Sequence, residues 1–147
     1  MSPAPRDFVG FGPLTEPEAL SVYNFTLENN FRLILSYHTQ GEVIFWKYLN
    51  YEPEDAERIA NELSKNSGYA LINEVETNSF AGYRDWFISS YNRSGYTVET
   101  GLGVNPLPIS QFDKIYNDNI GILLLGAVLW LKVFLLYFIR CYIITRQ

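Results

Sequence analysis

His38 is the only histidine in the 147-residue chain. A neutral imidazole can ligate a metal or exchange a proton near neutral pH. It can equally be a hydrogen-bonded structural side chain, which is the plain reading of a lone histidine beside apolar residues. Cys141 is the only cysteine, so an internal disulfide and a metal site built from several thiolates are both excluded.

The neighbouring residues place His38 at the end of a strand. Arg32-Leu-Ile-Leu-Ser-Tyr is apolar and aromatic enough for an interior strand, Gly41 permits a sharp change of direction, and Val43-Ile-Phe-Trp resumes the apolar pattern. The imidazole is therefore expected at a strand's carboxyl end, where open α/β sheets bind ligands.

The rest of the chain supplies elements to hold that strand. Residues 1–14 are rich in Pro and Gly and should be irregular. Thr15-Glu-Pro-Glu18 offers an N-cap, a first-turn proline and a glutamate three residues on, predicting a helix to about Glu28, with Leu20, Val22, Tyr23 and Phe25 on its apolar side. Glu52-Pro-Glu-Asp starts a second helix carrying Ala56, Ile59, Ala60 and Leu63, closed by Ser67-Gly68. Tyr69-Ala-Leu-Ile predicts a short strand, residues 73–79 a polar loop, 82–91 a short helix, and Thr97 to Glu99 a strand end. The fold class expected is α/β, a mixed β-sheet flanked by helices.

Composition bounds the function. A 48% apolar, 16% aromatic chain of this length can bury the core of one domain. Residues 1–119 hold 8 basic and 16 acidic side chains, and an acidic body disfavours nucleic acid as a partner. The first residues show no charged-then-apolar pattern, so export by a leader at this start is not expected. Residues 120–139 form an apolar run broken only by Lys132, about the length of one bilayer span. With no polar face at helical period, the run must be buried in protein or in lipid. A helix is expected from Ser110 or Gln111 to well past Gly126, with residues 120–143 as a candidate membrane span. Arg140 and Arg146 would then lie on the cytoplasmic side, while Lys132 opposes insertion at a cost of about 3 kcal/mol.

Ser36-Tyr-His38-Thr-Gln, followed by an apolar-aromatic segment, resembles the part of carboxypeptidase A-like zinc peptidases that carries the third zinc ligand. Further stretches fit: Asp85-Trp86, Tyr96-Thr-Val-Glu99-Thr, and Gly101-Leu-Gly-Val-Asn-Pro-Leu-Pro-Ile-Ser-Gln-Phe. Within the family, Pro5-Arg-Asp-Phe-Val-Gly, Gly12-Pro-Leu-Thr-Glu-Pro-Glu-Ala, Ala81-Gly-Tyr-Arg-Asp-Trp-Phe and Asn105-Pro-Leu-Pro-Ile-Ser-Gln-Phe-Asp resemble the bacterial γ-D-glutamyl-diamino acid endopeptidases.

The resemblance implies a Zn2+ cofactor held in part by His38, Glu99 as general base and acid, and a peptide or peptidoglycan stem-peptide substrate in the cell envelope or spore. It also implies what is missing. The family takes two further ligands from His-x-x-Glu and binds substrate through an arginine and an Asn-Arg pair. His-x-x-Glu is absent, and the chain begins downstream of where the family's arginine and Asn-Arg pair would lie, so residues 1–126 are expected to be the carboxyl-terminal half of a peptidase domain, incomplete on its amino-terminal side. The pocket tyrosine expected shortly before Ala81 is also absent. Tyr83 is the nearest substitute, and Glu76 stands near the expected place. Three readings follow: a zinc peptidase fragment inactive alone, a non-catalytic wall-binding module attached to a membrane through 120–143, and a degenerate product without stable function.

Overall fold

The computed structural model describes residues 11–73 and 82–144, with backbone alone for 130–144. The chain forms two compact units, residues 1–31 and 32–147. The first contains helix α1 (Pro17–Glu28), with Pro17 in the first turn and Asn29 as C-cap. The N-terminal boundary differs from expectation by one residue. Glu16 is the N-cap, and the Thr15 hydroxyl donates instead to the Gly12 carbonyl at 3.2 Å, which removes it from capping duty. Leu20, Val22 and Phe25 remain exposed.

The second unit is built on four strands, β1 (Leu33–His38), β2 (Val43–Phe45), β3 (Ala70–Ile72) and β4 (Ser94–Glu99), in the order β1-β4-β2-β3. β1 runs parallel to β4, β4 antiparallel to β2, and β2 parallel to β3. The sheet is mixed and flanked by helices, as the sequence implies. Helices α2 (Ala56–Ser67) and α3 (Tyr83–Tyr91), and a long helix α4 (Phe112–Ile144) entered through a 3-10 turn at Ile109–Gln111, complete the unit.

Strand alternation sends odd and even residues of β1 to opposite faces. One face carries Leu33, Leu35, Tyr96, Val98 and Ile44, and packs with Ala60 and Leu63 of α2 and Ile122 and Leu129 of α4 into the principal core. Tyr96 is fully buried there, and its hydroxyl donates to the Ala56 carbonyl at 2.9 Å, satisfying a phenol that would otherwise be costly to bury. The other face carries Ile34, Ser36, His38, Gly95, Thr97 and Glu99. Over its first half lies α3, so closely that a Cβ on Gly95 would come within 3.3 Å of Arg84, Ile34 and Ile88.

The apolar run that begins at residue 120 divides by side. Ile122 and Leu129 are buried against the sheet, whereas Leu123, Leu124 and Val128 are exposed. Among the described residues no helix is long and apolar enough to cross a membrane. The side chains of the run's second half, from Trp130, lie outside the description, as do Glu76 and Ala81.

Candidate active site

His38 ends β1 and Glu99 ends β4, and the two are register partners in the parallel ladder. Residues opposed in this way lie on the same face, on strands about 4.8 Å apart. The imidazole and the carboxylate thus leave the sheet side by side, at its carboxyl edge, on the face not taken by the main core. His38 is exposed and Glu99 is half-buried, with its Oε2 enclosed. Two residues before His38 on the same face, Ser36 Oγ is enclosed without a hydrogen-bond partner among the described residues.

The pair is held by the chain that follows each strand. The His38 carbonyl accepts from both the backbone N–H of Thr100 (2.9 Å) and its hydroxyl (3.1 Å). Just beyond, the Thr39 hydroxyl donates to Asn105 Oδ1 at 2.9 Å, and Asn105 Nδ2 donates back to the Thr39 carbonyl at 3.1 Å. The Gly41 N–H donates to the Gly101 carbonyl at 2.8 Å. Gly101 itself has φ +71°, and a Cβ there would stand 2.6 Å from Leu107 and 2.9 Å from Ile115, so the loop closes onto α4 only because this residue has no side chain.

The loop's far end is clamped by Gln111, whose amide accepts from the Leu102 N–H (3.1 Å) and donates to the Leu102 carbonyl (2.7 Å). Lys114 on α4 bridges Glu42 (2.7 Å) and Asp118 (2.6 Å), and these hydrogen bonds, that to Asp118 first, raise the ammonium pKa above its ordinary value. The residues after His38 are therefore fastened to the loop after Glu99 and to the long helix.

Tyr83 opens α3, the helix that packs on the face carrying the pair, with its ring stacked on Trp86 at 5.9 Å. Beside it, Arg84 and Asp85 form a buried ion pair at 2.6 Å, and the Arg84 guanidinium lies 5.7 Å from the Phe45 ring centre. Two cavities lie away from the pair: one of about 220 Å³ near Arg32, Asn92 and Arg93, the other of about 350 Å³ near Trp46, Tyr51 and Arg58.

Structural fit to a metal is partial. One exposed imidazole at a strand end can serve as a ligand, but protein zinc sites take three or four, and among the described residues no group of three His, Cys, Asp or Glu could hold an ion. The described residues do not form a zinc site on their own. Sequence reasoning picked out His38 and Glu99, which the structure brings side by side, and missed their fastenings. Thr39, Thr100, Asn105 and Gln111 carry ordinary loop chemistry, and only the folded chain joins Thr39 to a partner 66 residues away.

Three comparisons bear on this arrangement. Residues 1–121 match the model of the zinc carboxypeptidase family. The chain is 48% identical over 128 residues to the gamma-D-glutamyl-L-diamino acid endopeptidase 1 of Lysinibacillus sphaericus, covering 87% of this chain and 32% of that protein. It is 47% identical over 122 residues to the uncharacterized protein YqgT of Bacillus subtilis (strain 168), covering 83% and 32%. The chain thus spans about a third of the length of these curated relatives. Among solved structures, the carboxypeptidase A of Helicoverpa armigera superposes with a TM-score of 0.60 at 18% identity, over 82% of this chain and 35% of that one, and shares the fold.

Proposed function

Because the chain belongs to the zinc carboxypeptidase family, we propose that it forms one wall of an amide-hydrolysing active site, with His38 as a zinc ligand and Glu99 as the proton carrier. The observation that supports this most is the register pairing of His38 with Glu99 at the carboxyl edge of the sheet. Residues 1–126 are, on this reading, the carboxyl-terminal part of a peptidase domain. The remaining ligands come from outside this chain, in keeping with relatives about three times as long.

The division of labour follows from the side chains. Glu99 accepts a proton from the attacking water as the new C–O bond forms. The same carboxyl then hands that proton to the departing nitrogen as the C–N bond breaks, leaving a carboxylate and an amine. Zinc, when bound, supplies Lewis acidity and a lowered pKa for its water. His38 contributes an imidazole on a fixed backbone, because its own carbonyl is locked to Thr100. Tyr83 lines the substrate side from α3. The substrate we assign is a peptidoglycan stem peptide, supported by the likeness to a gamma-D-glutamyl-L-diamino acid endopeptidase at 48% identity.

The test joins this chain, as one polypeptide, to the part of the Lysinibacillus endopeptidase that the match does not span, and follows hydrolysis of a γ-D-glutamyl-diaminopimelate peptide. Glu99→Gln should keep the zinc and lower turnover by at least about 100-fold, whereas His38→Ala should lose both. Turnover unaffected by either change would refute the assignment. A second reading, a wall-binding module that works without metal, is favoured by the lack of a three-ligand group among the described residues, and the exposed side of α4 at Leu123, Leu124 and Val128 would suit its attachment to a membrane. It requires binding of peptidoglycan by the isolated chain, unchanged in His38→Ala.

A further inference from the structure

The cavity near Trp46 lies at the end of β2 remote from the His38–Glu99 pair. Val43 stands beside Glu99 in the antiparallel ladder, and the strand runs away from it through Phe45 to Trp46 and Lys47 at the cavity. Its volume of about 350 Å³ falls within the range of small-ligand sites, roughly 300–1,000 Å³.

The turn after β2 builds an aromatic shelf on its rim. The Tyr51 N–H donates to the Tyr48 carbonyl at 3.0 Å, closing four residues into a turn, and the two rings stack at 5.9 Å, 13° from parallel. Tyr48 thus holds one face of the Tyr51 ring, while Tyr51 lines the cavity and is 39% exposed. Leu49, inside the turn, sits at φ +47° in the left-handed region that disfavours leucine, and it also lines the cavity, 42% exposed. Asp55, on the α2 side, is a second lining residue in that region, at φ +65°. Strain of this kind persists where the surroundings impose it, and it gathers at ligand clamps. The buried Trp46 is fixed in turn by its indole N–H, which donates to Asn73 Oδ1 at 3.0 Å.

The charges narrow the ligand. Lys47 and Arg58 share the lining with Glu52, Asp55 and Glu57. A cation finds the Trp46 ring taken, because the Lys47 ammonium lies 4.9 Å from its centre. An anion such as phosphate meets more acids than bases. Aromatic faces ringed by donors and acceptors suit a neutral ring with apolar C–H faces and hydroxyl or amide groups at its edge, which is the chemistry of a sugar.

We propose that this cavity binds an N-acetylated hexopyranose, one unit of a glycan strand, stacked on Tyr51. The choice of sugar rests on the functional reading above, since peptidoglycan stem peptides are carried on such sugars. The site itself needs neither zinc nor the pair. On that reading the sheet carries two sites, the pair for the peptide and this cavity for the strand that bears it.

The test is a titration of the full chain with chitotriose, a trimer of N-acetylglucosamine, followed by NMR at the Trp46 indole N–H. We expect that signal to move saturably, in wild type and His38→Ala alike. Tyr51→Phe keeps the ring and should bind as the wild type does, whereas Tyr51→Ala should bind about tenfold more weakly with its amide dispersion unchanged. Cellotriose, which lacks the acetamido groups, should bind more weakly than chitotriose, and equal binding would overturn the choice of sugar. No movement of the signal, or equal affinity in Tyr51→Ala, would overturn the site. Movement with a γ-D-glutamyl-diaminopimelate peptide and none with chitotriose would give the cavity to the peptide and overturn it too. In the joined protein, sugar binding without hydrolysis would uphold this site and refute the catalytic reading. Glu99-dependent hydrolysis without sugar binding would refute this site alone.

Discussion

On the proposed reading, His38 and Glu99 differ in what their loss should do, because one side chain would hold the metal and the other would move a proton. That division was half legible in the sequence. A lone histidine closing an apolar strand is visible as a pattern, but its meeting with Glu99 depends on the crossover that makes β1 and β4 neighbours. Other residues carry predictions of their own. Burial of part of its ring, then the neighbouring Tyr69, pushes the Tyr37 phenol up from 10.0 to about 12. A raised pKa means that the fold favours the protonated phenol. Its contribution to stability is complete below pH 10 and is lost as pH rises through about 12. Denaturant midpoints measured between pH 9 and 12 should therefore fall less steeply in Tyr37→Phe than in the wild type. Gly101→Ala forces a side chain into the left-handed region against Leu107 and Ile115. We expect a loss of about 1–3 kcal/mol in chemical denaturation.

At the scale of elements, the strands and helices were readable where periodicity and punctuation agreed. β1 closes at His38, and α2 ends at Ser67 with Gly68 at φ +78°. Starts were less legible, because capping side chains had competing partners. Asp55, the N-cap of α2, makes no side-chain cap hydrogen bond. It accepts from Arg58 at 2.8 Å instead, a bond that holds its carboxyl below the usual range. How closely elements approach was not legible at all, and two glycines separate the cases. At Gly95 a new methyl would press on three well-packed atoms at 3.3 Å, between strand and α3, and Gly95→Ala should cost about 1–3 kcal/mol. At Gly121 the nearest atom is closer still, 1.8 Å away, but it is the end of the exposed Asn66 side chain. That side chain can swing aside, and alanine favours the helix by about 1 kcal/mol. Gly121→Ala should therefore be neutral or slightly stabilising by the same measurement. The reverse order for the two variants would contradict the packing described.

For the whole molecule, the mixed sheet organises an edge whose pieces are fastened and at which the described residues form no three-ligand group. The fold class was legible because strand and helix signals alternate along the chain. The absence of a His-x-x-Glu motif in addition to His38 is legible in the sequence, since the chain has one histidine. The apolar run from residue 120 was harder to read. Its first half serves the core through Ile122 and Leu129 on one side of α4, a division that a uniformly apolar sequence cannot announce. On the proposed reading, this chain supplies one metal ligand and one proton carrier to a site completed by other residues. Tight zinc binding needs several ligands held together, so the direct measurement is zinc content after dialysis, by atomic absorption, of the isolated chain and of the chain joined to the rest of a related peptidase, each as wild type and His38→Ala. We predict far less than one zinc per molecule in the isolated chain, about one in the joined protein, and its loss in His38→Ala. Stoichiometric, His38-dependent zinc in the isolated chain, accompanied by peptide hydrolysis, would show that the site is complete within these 147 residues.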